Sequence, residues 1–184
     1  MTLLFLNPLE AAAVEAFAAR IVPGDEGDPG AREAGVVTYV DHSLAGFMRD
    51  QQGFYREALR ALDGLCRERQ GQRFAELGEE QQDALLAELD AAAFGDGPPE
   101  ALAGDERLGL LTRLFAMLRE HTIQGLFCDP AYGGNRDACG WKLVGFPGAR
   151  WGYGEAEMRR GFDARTLPVS TLADLQRRVA EGRR

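Results

Sequence analysis

The sequence predicts an all-α protein: a bundle of about five main helices, a long ordered loop rich in glycine and aromatics, and a short C-terminal helix. Three observations carry this expectation. Apolar residues recur every three or four positions in five stretches, which is the helical period. Each stretch is bounded by capping residues, glycine or proline. Only Trp141 to Phe146 reads as a strand, and a brief one. The chain has 184 residues, 45% hydrophobic and 27% charged, which suits one globular domain able to bury a core.

Asn7-Pro8-Leu9-Glu10 opens the first helix. Asn caps, proline takes the first helical position, and Glu10 is placed to close a capping box. Leu9, Ala13, Phe17 and Ile21 then form one apolar stripe, and Pro23-Gly24 ends it. Asp25 to Gly30 is a polar turn whose spacing is not that of a calcium-binding EF-hand. A second helix is expected over Ala31 to Gly46, with Val36, Val37, Val40 and Leu44 inward; Asp41-His42 is read as a surface pair on it. The third, about Arg49 to Gln70, repeats Tyr55, Leu59, Leu62 and Cys66, and Cys66 reads as a small buried hydrophobe. After a connector at Phe74 and Leu77, Glu79 to Ala92 buries Leu85, Leu86 and Leu89. Gly95 to Gly104 is the one flexible loop. Asp105 to Phe127 is the longest helix, with Leu108, Leu111, Phe115, Leu118 and Thr122 on its buried side and His121 open to either placement. Thr171-Leu172-Ala173-Asp174 caps a last short helix ending near Glu181.

The stretch from Gly125 to Gly148 organises the rest. Pro130 and Pro147 lack an amide donor, the glycines favour turns, and the segment is expected to hold no helix. Yet Phe127, Tyr132, Trp141 and Phe146 are too apolar for a solvated linker. Two readings stand: a loop that caps the bundle, or a recognition surface.

Net charge is −8, which argues against nucleic acid as a partner. The charge is uneven: residues 149–184 hold eight Arg against five acidic residues, +3, leaving −11 on the remainder. No apolar run reaches the ~20 residues needed to span a bilayer, and no export signal is seen. Cys66, Cys128 and Cys139 match no metal or haem spacing. Dinucleotide, phosphate-loop, nucleophile-elbow and zinc-protease motifs are missing. Asp129 and Asp137 in a turn are expected to cap backbone amides. No residue set is assigned a catalytic role or a metal.

Several segments together resemble the gluconate 2-dehydrogenase subunit 3 family. They are Glu15 with Arg20-Ile21-Val22-Pro23, Asp28-Pro29-Gly30-Ala31, Ala34-Gly35-Val36, and Phe74-Ala75-Glu76-Leu77 with Gln81-Gln82. The most specific is Asp129-Pro130-Ala131-Tyr132-Gly133-Gly134-Asn135, followed by Gly140-Trp141-Lys142 and Gly145-Phe146-Pro147-Gly148. The resemblance covers about residues 8–150. It implies a helical, non-catalytic small subunit over residues 1–150, with 151–184 an extension docked on the same domain or on the partner. It also implies a large partner subunit of the glucose-methanol-choline type carrying FAD, with no cofactor on this chain, and electrons leaving through a cytochrome c or iron–sulfur component. Such subunits support folding and twin-arginine export of the large one, so the expected compartment is the periplasm, by co-export; the cytoplasm is the alternative.

On that resemblance, the residues expected to meet the partner or set the loop are Asp129, Pro130, Tyr132, Gly133, Gly134 and Asn135. Arg136, Trp141, Phe146, Pro147, Gly148 and Arg150 complete the set. Cys128 and Cys139, eleven apart, would close the loop if bridged in an oxidising compartment; alternatively one of them bonds the large subunit. Two other functions compete: a free-standing binding or chaperone module, and a stand-alone enzyme using Asp41, His42 or the Asp129 and Asp137 carboxylates.

Overall fold

The computed structural model describes residues 2–95 and 100–182. Among them the chain forms eight α-helices and several 3-10 turns, with no strand. The flexible loop expected over Gly95 to Gly104 lies partly outside the described residues, at 96–99.

Helix α1 (Pro8–Ile21) starts as its sequence dictates. The Asn7 side chain accepts the amides of Leu9 and Glu10, and the Glu10 carboxylate accepts the Asn7 amide at 2.9 Å. Its inner face is Ala13, Val14, Ala16 and Phe17. Leu9, expected on the stripe, is exposed instead. The capping box turns Glu10 inward, where it meets Arg56 at 3.5 Å, and Leu9 faces out.

The single helix expected over Ala31 to Gly46 is two: α2 (Ala31–Ala34) and α3 (Val36–Ala45), broken at Gly35 in the left-handed region. The Gly35 amide closes α2 onto the Ala31 and Arg32 carbonyls. The valines of α3 face the core as expected. Asp41 does not sit on the surface. It is buried, and its carboxylate accepts the amides of Leu4 at 2.7 Å, Phe5 at 3.0 Å and Leu6 at 2.8 Å. Backbone donors that have no helical partner take the place of a counter-ion. His42 is exposed.

Helix α4 (Gln52–Gln70) buries Tyr55, Leu59, Leu62 and Cys66, and α5 (Glu79–Phe94) buries Leu85, Leu86 and Leu89. The longest helix, α6 (Leu108–Phe127), runs through the middle and packs on α1, α3, α4 and α5. Phe17 of α1 stands between Phe74 and Phe115, at centroid distances of 6.1 and 5.7 Å. His121 is a core residue: its ring stacks on Tyr55, whose hydroxyl hydrogen-bonds Nδ1. Burial pushes the imidazole pKa down and the phenol pKa up.

Ion pairs decorate the bundle. Arg20 at the end of α1 holds Glu79 at 2.8 Å and Asp83 at 2.7 Å on α5, and Arg107 grips Glu68 and Asp105. Exposed pairs of this kind contribute about 0–1 kcal/mol each. A fully buried leucine or phenylalanine contributes about 1.5–3 kcal/mol. The apolar interior around α6 therefore holds the fold, and the ion pairs trim it.

Candidate functional site

Every α-helix ends with carbonyls that have no amide four residues on. In α6 these fall at Gly125 to Cys128, and the following loop meets three of the four. The Asn135 amide donates to Gly125 O at 2.7 Å, the Trp141 indole to Phe127 O at 2.7 Å, and the Asn135 side-chain amide to Cys128 O at 2.8 Å. The loop is thus an extended cap on the central helix.

Such close backbone approach dictates composition. A Cβ on Gly134 would strike the Gly125 carbonyl, and one on Gly140 the Leu126 carbonyl. Only glycine fits either place. Asn135 is fully buried and left-handed, at φ 45° and ψ 44°. Its side-chain oxygen takes the Gly140 amide at 2.8 Å, so its side chain ties two backbone points together and its own amide adds a third. Asp137 and Ala138 are also left-handed, at φ 55° and 54°. That conformation is costly for residues other than glycine, and the hydrogen bonds around it hold it in place.

The loop is not free of helix, as its prolines and glycines suggest. Cys139–Val144 forms a short helix, α7, and the brief strand expected over Trp141 to Phe146 is not formed. Pro130 and Pro147 lie outside α7, and Gly140 costs a helix only about 1 kcal/mol. Trp141, on α7, is turned inward at 6% exposure and meets Phe146 edge-on at 5.2 Å.

Asp129 opens the loop. One oxygen accepts the Ala131 amide at 2.9 Å, capping the turn Pro130–Tyr132; the other accepts the Leu172 amide at 2.7 Å. That second bond brings in the chain's last segment. Gly148 bridges Ser170, with the Ala149 amide donating to Ser170 O at 2.6 Å and the Ser170 amide to Pro147 O at 3.0 Å. Helix α8 (Leu172–Ala180) follows, capped by Thr171 and Asp174, and buries none of its residues.

The residues named from sequence therefore divide. Gly134, Asn135, Trp141, Pro147 and Gly148 are buried, while Tyr132, Arg136 and Phe146 face outward. Asp129, Pro130, Gly133 and Arg150 are half-buried, and Arg150 keeps one guanidinium nitrogen buried without a hydrogen-bond partner. Asp129 and Asp41, weighed as acid–base groups, are both engaged by backbone amides, and Asp137 is exposed.

Cys128 and Cys139 are not bridged; both are free and half-buried. Burial pushes the Cys128 thiol up to about 11 and raises that of Cys139. Neither carries thiolate character at neutral pH.

Beside the loop lies a surface that the sequence reading passed over. Phe47, Ile123 and Phe127 are 72%, 42% and 36% exposed, and Tyr132 is 56% exposed. With Tyr39 they line an open apolar groove of about 500 Å³. Ile123 and Phe127, four apart on α6, could have signalled it: they lie off the stripe that runs through Phe115, Leu118 and Thr122.

A family model described as gluconate 2-dehydrogenase subunit 3 matches residues 8–148. No curated protein and no solved structure matches the chain.

Proposed function

The chain belongs to the gluconate 2-dehydrogenase subunit 3 family, and from that premise we propose that it is the non-catalytic small subunit of an FAD-dependent sugar or alcohol dehydrogenase. Its partner is a large subunit of the glucose-methanol-choline type, which holds the flavin and oxidises the substrate. This chain stabilises that subunit and accompanies it through twin-arginine export to the periplasm. Electrons pass on to a cytochrome c or iron–sulfur component.

The family match carries the reading, and the apolar groove beside the loop supports it. Stable interfaces bury aromatic anchors at their centre, and the exposed Phe47, Phe127 and Tyr132 are of that type. They stand next to a loop whose conformation is fixed by its own hydrogen bonds, so little entropy is lost on docking. Tyr132 and Phe146 present the loop's outer surface, while Asn135 and Trp141 hold it in shape.

Co-expression tests this. The large subunit expressed with this chain is expected to be soluble, FAD-loaded and active, and to co-purify with it. Expressed alone, it is expected to be insoluble or flavin-poor. Equal yield, flavin content and turnover without this chain overturn the proposal. Phe47→Asp with Tyr132→Asp is expected to weaken the complex at least ~10-fold, as loss of central aromatic anchors does.

A further inference from the structure

We propose that the groove between α1, α4 and Arg73, which precedes the turn Phe74–Glu76, binds an extended acidic segment of a protein partner. The groove has a volume of about 430 Å³, and Arg60, Arg67 and Arg73 all line it. Among the described residues, none pairs with the guanidinium of any of the three, although the chain carries 29 acidic residues. Arg20, Arg32, Arg56, Arg69 and Arg107 each hold a carboxylate, whereas Arg49, Arg136, Arg160 and Arg165 stand without one among the described residues but do not share a groove with one another.

The two acids that share the groove are already engaged. Glu10 accepts the Asn7 amide and pairs with Arg56, and Asp63 accepts the Phe74 amide at 3.2 Å. Three arginines thus face a groove with two carboxylates, Glu10 paired with Arg56 and Asp63 bonded to a backbone amide, and the guanidinium groups outnumber them. Guanidinium forks suit carboxylates.

The spacing selects the kind of anion. Arg60 and Arg67 sit seven apart on α4, about 10 Å along the axis. An extended peptide advances about 3.3 Å per residue, so about three residues bridge the pair. One small anion serves only one end. The groove shares no residue with the apolar groove beside the loop, so the inference stands apart from the proposed flavoprotein contact.

Fluorescence anisotropy of labelled hexaglutamate with the full chain tests it. Saturable binding is expected at ~50 mM salt, weakening several-fold by ~200 mM. Arg60→Gln with Arg67→Gln is expected to weaken it at least ~5-fold, with the single Arg67→Gln intermediate. Both residues are exposed, so the circular dichroism spectrum is expected to stay unchanged. Arg159→Gln with Arg160→Gln, on the C-terminal segment, is expected to leave binding as it was. Inorganic phosphate is expected to compete no better than sodium chloride of equal ionic strength. Absence of saturable binding, equal binding by the folded Arg60/Arg67 variant, or competition by phosphate beyond that of salt overturns the proposal; the last result would mark a small-anion site.

Discussion

The two tryptophans of this chain stand ten residues apart and lead different lives. Trp141 is 6% exposed and donates to the end of α6; Trp151 is 71% exposed. The contrast extends to their surroundings. The loop before Gly148 spends its polar groups on the terminal carbonyls of the central helix. The segment after it touches the body at a few points: the Gly148–Ser170 bridge, the Leu172 amide on Asp129, and Arg165 beside Gly145. Glycine and aromatics are plentiful in both. What distinguishes them is whether a helix end nearby has unmet carbonyls. The family match stops at 148, where this dense bonding also thins.

The sharpest way to break the contrast is to truncate both tryptophans. Trp141→Ala is expected to cost about 3–5 kcal/mol in urea denaturation, the range for large aromatics lost from a core. Trp151→Ala is expected to stay within about 0.5 kcal/mol. Equal effects would mean that the extension is as firmly packed as the loop. Next in size is Asn135→Ala. It strands the Gly140 amide and the Cys128 carbonyl and places alanine in a left-handed conformation. A loss of about 2–4 kcal/mol is expected, with Asn135→Gly recovering only the left-handed part, about 1 kcal/mol, because the stranded groups remain. Asp129→Ala removes a turn cap and the tether to α8 together, with an expected cost of about 1 kcal/mol. Hydrogen exchange in α8 is expected to quicken while that of α7 is little changed.

A pH test reaches the core rather than the loop. The folded-state pKa of His121 lies below its unfolded value because burial disfavours the imidazolium. Below about pH 6.5 the unfolded chain therefore binds a proton that the native chain resists. Stability is full above that pH and declines as pH falls toward the folded pKa. Denaturation midpoints at pH 7.5 and 5.5 are expected to differ more for the native sequence than for His121→Gln. Smallest of all is the thiol effect. Cys128 and Cys139 are expected to alkylate slowly at neutral pH, and intact mass is expected to be the same before and after reduction.

Much of this was legible in the sequence. The helices announced themselves through period and caps, and Asn7-Pro8-Leu9-Glu10 formed the box its spelling implies. The all-α class followed from that period and those caps, and the family from particular residues, Asp129 to Asn135 above all. Three features were not legible, each for a physical reason. Gly35 reads as a tolerable glycine inside a helix; that it breaks one depends on how α2 packs. Asp41 reads as a surface charge, because its partners are backbone amides 35 to 37 residues away. The helix at Cys139–Val144 is only six residues long, too short for a period to show. The groove at Phe47 and Ile123 leaves no periodic signal, because Ile123 and Phe127 lie off the buried stripe of α6 and Phe47 stands in a turn.

The manner in which Asp41 is neutralised has an outcome of its own. Its three donors carry dipoles and no formal charge, and the carboxylate they meet is buried. Dissolved ions have little to screen there. Concentrated salt will erode the Arg20 and Arg107 bridges and empty the arginine groove of any acidic guest. The leading strand of the polypeptide, fastened through Leu4, Phe5 and Leu6, will keep its seat in brine.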